Sequence, residues 1–514
     1  MKICIIYPPF GDIVPEIAKY ASSLHLGPAY IASVLLNEGF DVTWFDCIEL
    51  GMSYDILIEH LSKNKYDAVG LSISYEINAA SMRVAKYIKN TWPNTFIFAG
   101  GYLPTMSYSN MSSSFRYIDC LVIGEGELTA VNIMKNLKNN SWKNIKGIAY
   151  LDNSNEIIYT GECDVVHDLD EIPFPIRFKP HKKIVSMITS RGCYGSCSFC
   201  SVPSFYKKCG GKHLRRRSPH NVFDEIQSIV DETSIDGVSF YDNNFAISSK
   251  ADKEWFDEFY NLIVKSKLKL QFSCMIRANE VTANIEGIKR FAEIGLSNMF
   301  LGIESFLQSD LDLYGKKMNA DINIKALNLL DEWNIPYQIG YILFNPFTTL
   351  EKLEETVNIF KKINFNAKQK TIQISIVDNI LIANRGTEIY DYLLSNNFNA
   401  KDERGYIILD KKTEYCYKIA KKWSERISSL YHFAFIHDFT KNKLIKEKLK
   451  QFYYELFFLD VDVLSSIIEK LRITKDDNLP SENELLEKWD TEVLRKRNEL
   501  KKLFTENPIR SLLS

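Results

Sequence analysis

Ser190-Arg-Gly-Cys-Tyr-Gly-Ser-Cys-Ser-Phe-Cys-Ser201 sets three cysteines, Cys193, Cys197 and Cys200, in a C-x3-C-x2-C spacing on one short stretch. Three thiolates on such a loop wrap one corner of a [4Fe–4S] cluster and leave the fourth iron without a protein ligand. An open iron suits chemistry on a bound small molecule better than electron storage. A structural zinc is the alternative, with Cys209 as fourth ligand. Zinc sites are usually built from two well-separated ligand pairs, whereas here three cysteines crowd together and one stands apart. The other cysteines (Cys4, Cys47, Cys120, Cys163, Cys274 and Cys416) are scattered in apolar surroundings and read as small buried hydrophobes.

The stretch follows an apolar run, Ile184–Thr189, which opens a regular alternation. Strands are expected at Ile184–Thr189, Gly237–Tyr241, Gln271–Ile276, Met299–Gly302, Tyr337–Leu343 and Thr371–Ile376. Helices are expected at Asn221–Thr233, Lys253–Lys265, Ile285–Ile294, Ile322–Trp333 and Leu350–Lys362. Six such units describe a partial (β/α)6 barrel, whose chemistry belongs at the carboxyl ends of the strands. The cysteine loop falls directly after the first strand. Lys212–Arg217 is a short basic run and reads as a solvated loop.

Residues ahead of the loop alternate in the same way. Strands are expected at Lys2–Tyr7, Asp41–Asp46, Ala68–Ser74, Thr95–Ala99 and Cys120–Ile123, with helices at Leu26–Asn37, Ser53–Asn64, Ile77–Asn90 and Leu128–Lys138. Parallel neighbours need a crossover, normally a helix, so this is a doubly wound, Rossmann-like sheet. Ligands of such sheets bind beyond the carboxyl ends of the strands. Ser72 and Ser74, then Gly100-Gly101-Tyr102, then Gly124-Glu125-Gly126 occupy those ends. The glycines let a backbone approach a ligand closely, and the hydroxyls can bond its polar edge.

Between the two alternations, residues 147–182 hold a hairpin (Ile148–Leu151 and Glu156–Thr160) and a proline-containing connector. Beyond residue 380 the pattern becomes helical, with apolar residues at helix spacing, as in Leu464, Ile467, Ile468 and Leu471. The fold class is α/β, divided as 1–146, 147–182, 183–380 and 381–514.

The chain has 514 residues, 46% hydrophobic and 25% charged, enough for two or three domains with sizeable cores. Lys and Arg number 63 against 65 Asp and Glu, a balance that asks for no polyanionic partner such as nucleic acid. No apolar run reaches the ~18–20 residues that span a bilayer. The amino terminus reads as a buried strand stopped by Pro8 and Pro9, not as a signal peptide, and the expected location is the cytoplasm.

Taken in order, these features resemble the radical S-adenosylmethionine (SAM) enzymes that carry a cobalamin-binding domain in front. The front segment matches through Pro8-Pro9, Leu26-Gly27-Pro28-Ala29-Tyr30-Ile31-Ala32, Gly70-Leu71-Ser72, Gly100-Gly101 and Gly124-Glu125-Gly126-Glu127. The D-x-H-x-x-G signature, whose histidine coordinates cobalt, is missing after the first strand. His25, in Ser23-Leu24-His25-Leu26-Gly27, reads as a helix start. The resemblance thus implies cobalamin held without a histidine ligand, by Ser72, Ser74, Gly100, Gly101, Tyr102, Gly124, Glu125 and Gly126. A domain that has lost the cofactor is the alternative.

In the barrel, the resemblance places SAM on the open iron held by Cys193, Cys197 and Cys200, with Phe199 against the adenine. Asp242 and Asn243 (in Tyr241-Asp242-Asn243-Asn244-Phe245) would hold the SAM amino group, Arg277 its carboxylate and Glu304 the ribose hydroxyls. Reductive cleavage of SAM then gives a 5′-deoxyadenosyl radical. The implied activity is methyl transfer to an unactivated carbon of a natural-product or cofactor-like substrate, small molecule or peptide, with a flavodoxin- or ferredoxin-type electron donor. A radical rearrangement or cyclisation is the alternative on the same scaffold. A non-enzymatic zinc- or cobalamin-binding scaffold is the alternative of another class.

Overall fold

A computed structural model of the chain describes residues 1–9, 24–179, 183–210, 214–363, 375–398, 406–438 and 443–505. It divides into two compact units. The first comprises Met1–Phe245, Ser249–Cys274 and Arg385–Glu388; the second comprises Ala246–Ser248, Met275–Asn384 and Ile389–Ser514.

The first unit is dominated by a seven-stranded sheet of order β2-β1-β3-β4-β5-β6-β7. Strands β1 (Lys2–Tyr7), β2 (Asp41–Asp46), β3 (Ala68–Ser72), β4 (Phe96–Gly100) and β5 (Cys120–Val122) run parallel. The crossovers are the helices Leu26–Asn37, Tyr54–Lys63, Asn78–Thr91 and the short Tyr102–Ser107. Side chains alternate across a strand, and helices cover both faces, so the central residues of β1, Ile3, Cys4, Ile5 and Ile6, are all apolar and buried. Ile3 and Ile5 pack with Tyr30, Leu35 and Phe98 on one face. Cys4 and Ile6 pack with Leu57, Leu61, Val69 and Val84 on the other. The hairpin β6 (Ile148–Leu151) and β7 (Ile157–Tyr159) is no free connector: β6 pairs antiparallel with β5 and extends the sheet.

The same unit holds the start of the second alternation. Strand β8 (Ile184–Met187) pairs parallel with β11 (Gly237–Phe240), which pairs parallel with the first part of β12 (Gln271–Arg277). Between β8 and β11 the chain makes a small antiparallel ribbon of β9 (Ser190–Gly192) and β10 (Leu214–Arg216). The three cysteines hang between β9 and the helix Ser201–Lys207. The basic run is not a solvated loop in its described part: Arg215 and Arg217 are buried, because carboxylates and carbonyls receive their guanidinium groups.

In the second unit β13 (Leu296–Glu304) pairs parallel with β14 (Gln338–Tyr341), with a register shift between Gly302 and Glu304. The expected sixth strand, Thr371–Ile376, lies outside the described residues up to 374; past it Ile380 forms one parallel bridge with Phe344. The chain then turns helical, with Lys411–Asp438, Lys443–Ile473 and Asp490–Thr505 as the long elements. Among the described residues no helix is long and apolar enough to cross a membrane.

Candidate active site

The carboxyl ends of β1, β3, β4 and β5 open onto a cleft of about 450 Å³, within the size range of cofactor pockets, roughly 300–1,000 Å³. All of Ser72, Ser74, Gly100, Gly101, Tyr102, Gly124, Glu125 and Gly126 line it. Two of the glycines are required by the backbone. Gly101 has φ +124°, and a Cβ there would stand 2.5 Å from the Ile73 carbonyl oxygen. Gly124 has φ +87°, and a Cβ there would stand 2.6 Å from Cys163 Sγ and 2.8 Å from Cys209 Sγ. Loops this tight present backbone rather than side chains to the cleft. Its walls are apolar and aromatic, with Tyr7, Tyr30, Phe205 and Tyr206 among them. A glycine-rich floor with flat apolar walls suits a large planar macrocycle such as a corrinoid.

The same cleft is lined by Ser190, Arg191, Tyr241 and Asn243. Ser190 and Arg191 are the residues of β9 that lead into the cysteine loop, so the glycine loops and the cysteine loop meet in one place. Buried ion pairs fasten that junction. Arg191 Nη2 lies 2.5 Å from Glu127 Oε1, and its Nη1 lies 3.7 Å from Glu125 Oε2. Arg215, on β10, donates to Glu125 Oε1 and to the Val166 carbonyl. Burial alone would raise the Glu127 carboxyl, but Arg191 outweighs it and holds the group below its ordinary value. Glu125 therefore meets the cleft as one member of an ion-pair network. A second buried group, Arg177–Glu225–Arg217, fixes the exit of β8, with both guanidinium groups 2.6 Å from the Glu225 carboxylate and Arg217 donating to the Ile188 carbonyl.

Cys193, Cys197 and Cys200 are half-buried on their loop. The Gly195 amide donates to Cys193 Sγ at 3.3 Å, and the Cys200 amide to the Cys197 carbonyl at 3.1 Å. Among the described residues no three His, Cys, Asp or Glu side chains are gathered as around a metal ion. The donor set, three thiols with no competing carboxylate or imidazole in the loop, is that of an iron–sulfur corner. Cys209 is placed differently. It is buried beside Cys163 in an apolar patch with Val202 and Tyr206, against which Cys193 and Cys200 pack. Its contact with Cys163, followed by burial, raises its thiol well above the ordinary range, so it stays protonated.

The remaining candidate residues separate. Phe199 is half-buried in the loop, and Asn243 is exposed and lines the cleft. Asp242, the neighbour of Asn243, faces the start of the cysteine stretch. It is fully buried, and its carboxylate accepts from the Thr189 amide at 3.1 Å, Thr189 Oγ1 at 3.0 Å and Ser190 Oγ at 2.5 Å. These bonds tie it to the two residues at the entry to the cysteine loop. In the second unit, Arg277 and Glu304 converge on Lys316. Arg277 Nη2 donates to the Lys316 carbonyl at 2.7 Å, and buried Lys316 Nζ lies 2.8 Å from Glu304 Oε1. Glu304 has φ +63°, a conformation costly for a residue with a Cβ and concentrated at functional sites. Lys316 and Arg191 carried no motif signal; only their burial against carboxylates marks them.

Residues 17–134 match the family model of the B12 binding domain, and residues 187–360 match that of the radical SAM superfamily. The chain is a radical SAM enzyme with an N-terminal B12-binding domain. The cofactors of that class are a [4Fe–4S] cluster, SAM and cobalamin. Among its curated relatives is an uncharacterised methyltransferase of Pyrococcus horikoshii, 26% identical, the match covering 87% of this chain and 94% of the relative. Another is the anaerobic magnesium-protoporphyrin IX monomethyl ester cyclase of Cereibacter sphaeroides, 27% identical over 69% of this chain and 59% of the cyclase. The chain thus spans about three fifths of that relative's length. In fold it is similar to the cobalamin-dependent radical SAM enzyme OxsB, solved with aqua-cobalamin and SAM bound. That match has a TM-score of 0.80 at 17% identity and covers 99% of this chain and 84% of OxsB.

Proposed function

We propose that this enzyme transfers a methyl group to an unactivated carbon of a small-molecule or peptide substrate. The observation that carries the reading is the shared cleft: glycine loops suited to a corrinoid and the ribbon that bears the cysteine loop line one cavity. When bound, the cofactors supply a 5′-deoxyadenosyl radical from SAM and a stored methyl group on cobalamin, two tasks that a single methyl electrophile cannot combine at an unreactive C–H carbon. In this reading Cys193, Cys197 and Cys200 hold the cluster, and Phe199, Asn243, Arg277 and Glu304 hold SAM. Arginine suits the SAM carboxylate because its planar fork matches that group. Arg277 and Glu304 are kept in place by Lys316. Ser72, Ser74, Gly100, Gly101, Tyr102, Gly124 and Gly126 hold the corrinoid, while Glu125 and Glu127 anchor the loop through Arg191 and Arg215.

We assign residues 1–146 to the corrinoid domain, 147–182 to a connecting segment whose hairpin extends the sheet of that domain, 183–380 to the radical SAM core and 381–514 to a helical region that shapes the substrate site. A flavodoxin- or ferredoxin-type donor supplies the reducing electron, and the enzyme works in the cytoplasm. A radical cyclisation on the same scaffold is the second reading, favoured by the similarity to the cyclase. Anaerobic purification with cobalamin, followed by incubation with SAM bearing a deuterated methyl group, separates them. Methyl transfer puts the label into the product and consumes SAM in two ways, giving both 5′-deoxyadenosine and S-adenosylhomocysteine. A cyclase gives 5′-deoxyadenosine alone. Failure to form 5′-deoxyadenosine at all overturns both.

A further inference from the structure

The expectation drawn from the missing D-x-H-x-x-G signature was a corrinoid without a histidine ligand. The three-dimensional arrangement points elsewhere. His25 stands at the N-cap of the helix Leu26–Asn37, but its side chain does not cap that helix. Its Nδ1 lies 2.9 Å from Asp46 Oδ2, and the same oxygen accepts the His25 backbone amide at 2.9 Å. Asp46 is fully buried at the end of β2. Tyr7 ends β1 in register with Asp46 and stacks its ring on the imidazole, with centroids 3.5 Å apart and planes 13° apart. His25 and Tyr7 both line the cleft. A carboxylate on one ring nitrogen fixes the tautomer and leaves the lone pair on the other, the arrangement that supports metal-binding histidines. Asp46 and Tyr7 together fix both the orientation and the rotation of the ring. With Nδ1 occupied, Nε2 is the nitrogen left to face a ligand.

We propose that His25 Nε2 is an axial ligand to the cobalt of a corrinoid bound in this cleft, with Asp46 and Tyr7 as its positioning residues. The inference rests on the corrinoid reading of the cleft. It replaces a short linear motif with three residues from separate parts of the chain, β1, β2 and the first helix, which the parallel sheet brings to one edge. A buried carboxylate behind the imidazole holds the ring in one orientation, as outer partners do for metal-binding histidines.

The test uses the full-length protein loaded anaerobically with cobinamide, a corrinoid that lacks the dimethylbenzimidazole tail and so brings no axial nitrogen of its own. Bound corrinoid is measured by absorbance after desalting, and the metal is reduced to Co(II) for electron paramagnetic resonance. The expected spectrum shows each cobalt hyperfine line split into three by one 14N nucleus. Growth on 15N-histidine should turn the triplets into doublets. His25→Ala should still bind cobinamide but give unsplit lines, and Asp46→Asn should keep the splitting with weaker retention of the corrinoid. Unsplit lines from bound cobinamide in the unaltered protein, or a splitting that survives His25→Ala, overturn the ligand assignment and leave the cleft reading standing. No retention of cobinamide or cobalamin overturns the cleft reading, and this assignment with it.

Discussion

Replacing Asp242 with alanine tests whether this carboxylate builds the cysteine loop or holds SAM. In the folded protein it accepts from three donors, the Thr189 amide, Thr189 Oγ1 and Ser190 Oγ, and Thr189 and Ser190 are themselves buried. Alanine leaves those donors without partners in a place water does not reach. A buried donor stranded in this way costs roughly 1–3 kcal/mol, so three give about 3–9 kcal/mol before relaxation. The lower end applies. Burial has pushed the Asp242 carboxyl above its ordinary range, so its ionised form already carries a desolvation penalty that the variant escapes. We expect a loss of about 3–4 kcal/mol, read by anaerobic urea titration. Because Thr189 and Ser190 lead directly into Cys193, cluster iron per chain should fall with it, whereas Asp242→Asn, which keeps one acceptor oxygen, should fall less. A stable Asp242→Ala protein with full cluster content and only a raised KM for SAM would refute this reasoning and restore Asp242 as a ligand contact.

Alanine at Cys193, Cys197 or Cys200 should each abolish 5′-deoxyadenosine formation, while Cys209→Ala should keep its cluster iron, because Cys209 lies outside the loop, buried beside Cys163 in an apolar patch; loss of iron from Cys209→Ala counts against the three-ligand reading. Glu127→Gln removes the nearer of the two carboxylates that face the buried Arg191 guanidinium, and removing one partner of a buried pair costs up to about 3 kcal/mol; an unfolding midpoint equal to that of the unaltered protein would show the pair to be idle. Asp460 is buried in the helical region, where Trp423 Nε1 at 2.7 Å and Tyr431 Oη at 2.9 Å donate to it, and burial pushes its carboxyl up to about 6. The unfolded chain releases that proton at lower pH than the folded one, so this group lowers stability as pH rises from about 4 to about 6, by about 3 kcal/mol in total, with no change outside that window. Asp460→Asn cannot ionise, so the stability difference between the two proteins should slope through that window and be flat above it; parallel curves would contradict the assignment.

The sequence by itself determined the two alternations, the cysteine loop after the first barrel strand and the glycine loops at the sheet edge, because each is a local signal. Strand β1 at Lys2–Tyr7 and β2 at Asp41–Asp46 are legible from short apolar runs between helical periods, and the C-x3-C-x2-C spacing is a property of one loop. What depends on residues far apart in the chain was settled only by tertiary structure. Arg191 finds Glu127 across 64 positions, and Arg215 finds Glu125 across 90, through close packing of the β9–β10 ribbon on the sheet edge. Asp242 reads as a turn residue in a polar run, yet its partners lie more than 50 positions earlier, and burial decides its role. His25 shows the same limit most plainly. Its neighbours in sequence make it a helix start; its neighbours in space, Asp46 and Tyr7, make it an oriented imidazole, because parallel strands carry residues from distant segments to a common edge. The spacing of cysteines declared the loop and its metal chemistry, and only the fold brought that loop to the cleft.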